Sequence, residues 1–194
     1  MNSLRYYSGS RPFPSLIPTH MTASTPPAVR PSELLYPDLD AELALTRRML
    51  AVVPDGQNDW KPHEKSASLG GLATHIASLP GFASTIFSTM ELDWATFKYV
   101  PPVANTTAER LALFDEKAAA MSAQVKGADW PALAEHWVMR AGDKVMMDEP
   151  KGKLLRTMGL SHIAHHRAQL GVYLRLLDVP IPGTYGPSAD EKMA

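Results

Sequence analysis

Prolines and glycines cut this chain into lengths, and within those lengths apolar residues return every three or four positions, the spacing of a helix with one buried face. Leu39, Leu43, Leu50 and Val53 keep that spacing until Pro54-Asp55-Gly56 stops it, which predicts a first helix over about 33–53. After an aperiodic loop, Asn58-Asp59-Trp60-Lys61-Pro62-His63, either Ser66 or Ser68 can cap a second helix over about 69–90, with Leu72, His75, Leu79, Phe82 and Ile86 on one face. Pro80 inside it removes a backbone donor, so a kink near His75 or a break into two pieces is expected. Thr106 and Glu109 form a capping box for a third helix, where Leu111, Phe114, Ala118, Met121 and Val125 run toward Gly127. Alternation across 135–149, with Ala141-Gly142-Asp143 as a turn, predicts a short β-hairpin. A last helix over about 151–178 ends where Pro180 and Pro182 forbid its continuation. Four helices and one hairpin point to an all-α protein built as a four-helix bundle.

Residues 1–31, rich in Pro, Ser and Thr, read as a disordered arm, and Met21 is a second possible start; residues 32–194 form one domain. The 194 residues are 45% apolar, enough for a single core. Nineteen basic and 20 acidic residues leave a formal charge of −1, which gives no electrostatic case for nucleic acid or an anionic membrane. No apolar run is long enough to span a bilayer and no secretory leader is visible, so a cytoplasmic protein is expected. The absence of cysteine rules out a disulfide framework, a thiolate metal site and a cysteine nucleophile, leaving imidazole and carboxylate as metal ligands.

Histidine therefore carries the chemistry. His162 and His166 lie four apart on the last helix, where each residue advances by about 100°, so both rings leave one face a turn apart and can grip one cation. Leu155, Gly159, Tyr173 and Leu177 share that stripe, which aims the rings into a core. His75 lies on the inward stripe of the second helix, and a packed bundle can bring it to the pair. Three neutral imidazoles with an open position are the donor set of a catalytic zinc-type centre. The bland alternative is three helix histidines bonded locally, and the HxxxH spacing lacks the Glu of a metalloprotease helix. His165 points about 100° away from His166 and suits a supporting or pocket role. Trp60 and His63 could roof a pocket, or pack and face solvent. Arg167 and Gln169 could fix carboxylate or amide partners across the bundle or at a subunit interface, but surface pairs are the first expectation, and neither is given a catalytic role.

The runs Asp59-Trp60-Lys61-Pro62, Leu72-Ala73-Thr74-His75-Ile76, His162-Ile163-Ala164-His165-His166-Arg167-Ala168-Gln169-Leu170, Tyr173-Leu174-Arg175 and Tyr185-Gly186-Pro187-Ser188-Ala189-Asp190-Glu191 together resemble the DinB/YfiT-like family of metalloenzymes over about 33–191. Ala168 stands where that family usually has glycine, a small change on a helix. The resemblance implies a four-helix bundle, commonly a homodimer, with a divalent metal held by His75, His162 and His166. The family is named for damage-inducible expression, which suggests a stress response. Relatives in the wider superfamily transfer or isomerise substrates through low-molecular-weight thiols such as bacillithiol and mycothiol. The expectation is thus a metal-dependent enzyme, with zinc, nickel, iron or manganese, in which the ion activates a small thiol for attack on an electrophilic small-molecule substrate. A metal-dependent hydrolase and a non-catalytic metal- or ligand-binding module are the alternatives.

Overall fold

The computed structural model describes residues 29–191. Most of the expected disordered arm, residues 1–28, lies outside them, and Pro31 opens the first helix. The chain is mostly helical with one small sheet: α1 (Pro31–Leu35), α2 (Leu39–Leu50), α3 (Leu69–Ser88), β1 (Glu91–Asp93), α4 (Thr107–Gly127), α5 (Trp130–Ala134), β2 (His136–Ala141), β3 (Lys144–Pro150), α6 (Lys151–Leu154), a π-helical segment (Leu155–Ser161) and α7 (His162–Leu176).

The expected first helix is two helices. Pro37 disfavours a helical conformation at the residue before it, and Tyr36 takes φ −135°, ψ 48°, so the chain turns between α1 and α2. Ser68 is the cap of α3, accepting from the Gly71 N–H at 3.2 Å, and α3 runs through Pro80 as one element. On α4 the capping box forms in both directions: Glu109 N donates to Thr106 Oγ1 at 3.2 Å and Thr106 N to Glu109 Oε2 at 3.1 Å. α7 closes in a Schellman motif around Asp178 at φ 57°, with Val179 N donating to the Leu174 carbonyl and Asp178 N to that of Arg175. Pro180 follows.

α2 packs on α4 and α7, and α3 packs on the same two, so the four long helices meet in a closed cycle. Leu50, Leu69, Ile76, Phe114, Met121 and Leu170 lie in the core between them. β2 and β3 are antiparallel, joined through Gly142 at φ 59°, a backbone that glycine adopts without strain. They are part of a three-stranded sheet, because β1 pairs in parallel with β2, Glu91 opposite Val138 and Asp93 opposite Arg140. Ile86, Leu92, Trp137 and Leu154 form a second cluster under this sheet, and Trp137 Nε1 donates to Thr89 Oγ1 at 2.9 Å. The sheet thereby fastens the end of α3 to the start of the last helical run.

Candidate metal centre

α3 supplies His75, and the first two turns of α7 supply His162 and His166. Ile76 beside His75, and Ile163 and Arg167 beside the pair, are buried, so each imidazole sits one position off the buried face of its own helix. α3 and α7 pack together, and the three rings meet at their shared edge. One nitrogen from each ring falls within 4.8 Å of the other two. The His75 ring centroid lies 4.7 Å from that of His166 and 5.6 Å from that of His162. All three rings are only partly covered, which corrects the expectation that they point into the core. The core stripe of α7 is Ile163, Arg167, Leu170 and Leu174, one residue on from the histidines.

Hydrogen bonding shows what these rings want. Gln169 Oε1 lies 2.7 Å from His166 Nδ1; an acceptor there places the proton on Nδ1 and leaves Nε2 with its lone pair. That lone pair faces His162 Nε2 at 2.8 Å, which without a cation must carry the His162 proton. His162 Nδ1 is then a bare acceptor, and it is buried with no hydrogen-bond partner among the described residues. A cation held by His75, His162 and His166 would remove the conflict, because the His162 proton could then sit on Nδ1, where the nearby Met158 carbonyl favours it. The residues present therefore fit a divalent metal through a neutral three-imidazole donor set. Burial, then the rings of His166 and His162, lower the His75 pKa from 6.5 to about 4. Burial, then His166 and His165, also lower that of His162. At neutral pH both rings are uncharged and able to ligate.

The other sequence candidates supply no nitrogen to the cluster. His165 is exposed, its ring centroid 4.9 Å from that of His166. Trp60 packs edge-on against Tyr173 at 5.6 Å, and its carbonyl accepts from Leu69 N at the start of α3. His63 is exposed, its Nδ1 accepting from Lys65 N. Neither Trp60 nor His63 lines the groove that opens beside His75. That groove, about 400 Å³, runs between α3 and the 99–105 segment, with Asn58, Thr74, Ser78 and Tyr99 in its walls. Spacing alone did not reveal it, although the Tyr99-Val100-Pro101-Pro102 run marks a stiff apolar segment.

Arg167, expected at the surface, is 2% exposed and pairs with Glu42 at 2.8 Å. It also donates to Thr46 Oγ1 and to the hydroxyl of Tyr185. The same hydroxyl donates to Glu42 Oε2 at 3.0 Å, so the residue after His166 is locked to α2 and to the C-terminal tail. Gln169, expected in a similar pair, faces His166 instead.

Two solved structures share this fold. A DinB-like protein from Bacillus subtilis superposes with a TM-score of 0.58 at 14% identity, covering 77% of this chain and 96% of that one. A second, from Bacillus cereus, gives 0.58 at 18% identity, covering 78% and 95%. No curated protein matches the sequence. The DinB family pattern extends over residues 28–193, spanning both histidine helices and the tail that Arg167 secures, and the chain belongs to the DinB family.

Proposed function

We propose that this protein is a metal-dependent thiol transferase, built as a four-helix bundle, in which His75, His162 and His166 hold a divalent ion. The observation that carries this reading is the convergence of three imidazole nitrogens within 4.8 Å, with His162 Nδ1 left unbonded beside them. A divalent ion held there supplies a Lewis acid that lowers the pKa of a small thiol, so no protein cysteine is needed. Gln169 fixes the tautomer of His166, and the Arg167–Glu42 pair fixes the helix that carries it. The thiol gives up its proton to solvent, and its sulfur forms a bond to the electrophilic carbon of the second substrate, whose leaving group departs with the displaced electron pair. Zinc, nickel, iron and manganese are the ions to test.

Among the described residues no carboxylate joins the cluster, and Asp59 lines the groove beside His75 rather than the cluster itself, so no acidic side chain stands among the ligating rings as a base for water. That favours thiol transfer over hydrolysis. Hydrolysis remains the second reading because the exposed His165 ring stands against that of His166 and can take a proton. Val172 and Leu176, exposed on α7, offer apolar area for a homodimer. Among the described residues no helix is long and apolar enough to cross a membrane.

Elemental mass spectrometry on protein purified without a histidine tag, beside a His162→Ala/His166→Ala variant, tests the centre. Near-stoichiometric metal in the parent and none in the variant is expected. A parent that stays metal-free when offered zinc, nickel, iron and manganese overturns the reading.

A further inference from the structure

Arg110, on the first turn of α4, is 0% exposed, and its Nε and Nη1 find no hydrogen-bond partner among the described residues. Among the described residues it makes no ion pair. The carboxylates closest in charge are engaged elsewhere: Asp55 Oδ1 accepts from Thr107 N at 2.7 Å, and Glu109 Oε2 from Asn105 N at 2.6 Å. What Arg110 does hold is the edge of the groove beside His75. Its Nη2 donates to Asn58 Oδ1 and, at 3.3 Å, to the Asn105 carbonyl, and both residues line that groove.

Asn58 is fixed from several sides. Its Nδ2 donates to the Asn105 carbonyl at 2.7 Å, and its own carbonyl accepts from Gly70 N at 3.0 Å. A Cβ at Gly70 would come within 2.9 Å of the Asn58 side chain, so glycine is what lets the loop lie this close on α3. One N–H of the Asn58 amide is committed to Asn105, and among the described residues the second has no acceptor. A guanidinium on the amide oxygen polarises that second N–H into a stronger donor than a free amide.

We propose that this groove binds the carboxylate of a small organic acid, with the Asn58 amide as the hydrogen-bond donor and the buried charge of Arg110 behind it. The apolar body of the acid lies along Tyr99, Pro101 and Val103, and its far end reaches the His75 side of the groove. Asp59, exposed and also lining the groove, opposes negative charge in proportion to its amount, so a phosphate or a dicarboxylate is penalised more than a monocarboxylate. This assignment names the electrophilic substrate of the proposed transferase as an apolar monocarboxylate, and to that extent rests on the function proposed above. The groove itself requires no metal.

The test uses trans-cinnamate and its neutral amide, cinnamamide, titrated by NMR into the full chain with metal stripped by EDTA. Cinnamate is expected to bind and to shift the amides of Asn58, Thr74 and Ser78, with cinnamamide about tenfold weaker. Asn58→Asp, which gives Arg110 a counter-charge and removes the donor, should weaken cinnamate by about tenfold or more while leaving zinc uptake unchanged. Tyr99→Ala, at an exposed position and safe for folding, should weaken acid and amide alike. Equal affinity for acid and amide, an unaltered affinity in Asn58→Asp, or cinnamate binding only when zinc is present overturns the proposal. The metal content of the same preparations separates the two readings: stripped protein that discriminates acid from amide upholds the groove whether or not the parent carries metal.

Discussion

Among the described residues two arginines are sealed inside the fold, and they are treated in opposite ways. Arg167 meets a carboxylate, a threonine hydroxyl, a backbone carbonyl and a tyrosine hydroxyl. Arg110 meets only a side-chain amide and one carbonyl, with two nitrogens unbonded. A buried guanidinium costs desolvation in both places, and the protein offsets that cost far more fully at Arg167 than at Arg110, where burial outweighs the charges of Asp55 and Glu109. The saturated arginine belongs to the scaffold, since it joins α7 to α2 and to the tail. The unsaturated one stands behind the groove beside His75, where its charge acts through the Asn58 amide.

The contrast can be broken most forcefully at the scaffold. Glu42→Ala leaves the Arg167 charge buried and unpaired and should cost about 3–5 kcal/mol in a denaturant titration; a loss under 1 kcal/mol would show that the pair is not what holds α2 to α7. Tyr185→Phe removes one hydroxyl from the same network but keeps the ring against the guanidinium, at 5.3 Å. A loss of about 1 kcal/mol is expected, read as a lower midpoint with an unchanged denaturant slope. The smallest change belongs to the other arginine. Arg110→Met removes a buried charge without orphaning a partner charge, so stability should stay within about 1 kcal/mol of the parent. If Arg110→Met proved as damaging as Glu42→Ala, Arg110 would be scaffold too, and the distinction would fail.

The sequence carried much of this, unevenly. Periodicity marked the long helices because each buries one face over three or more turns, and the Thr106–Glu109 box set the start of α4 closely. The three histidines were readable because helical spacing turns chain separation into shared direction. Their place at the rim, rather than in the core, depends on which of two adjacent stripes on α7 faces inward, and spacing is the same for both. Pro37 was a visible sign of the break between α1 and α2 that the apolar pattern outweighed. β1 is three residues long, too short to show an alternation, and exists because β2 offers it an edge. The two arginines could not be told from surface residues: on α4, Arg110 sits between Glu109 and Leu111 like any charge on an amphipathic helix, and its burial comes from the loop folded over it.

The π-helical turn at Leu155–Ser161 sets the rotational phase of everything after it. A π-helix takes more residues per turn than an α-helix, so Leu155 and Leu160, five apart, are both buried where α spacing would have chosen Leu155 and Gly159 alone. The wide turn ends at Ser161, and His162 is the next residue. Had this run stayed α-helical, α7 would be turned by a large part of one residue's rotation, and the two histidines would no longer look toward His75. The imidazole triad is thus tuned by a local overcount in the backbone, and an ion bound across it would in turn hold that overcount in place.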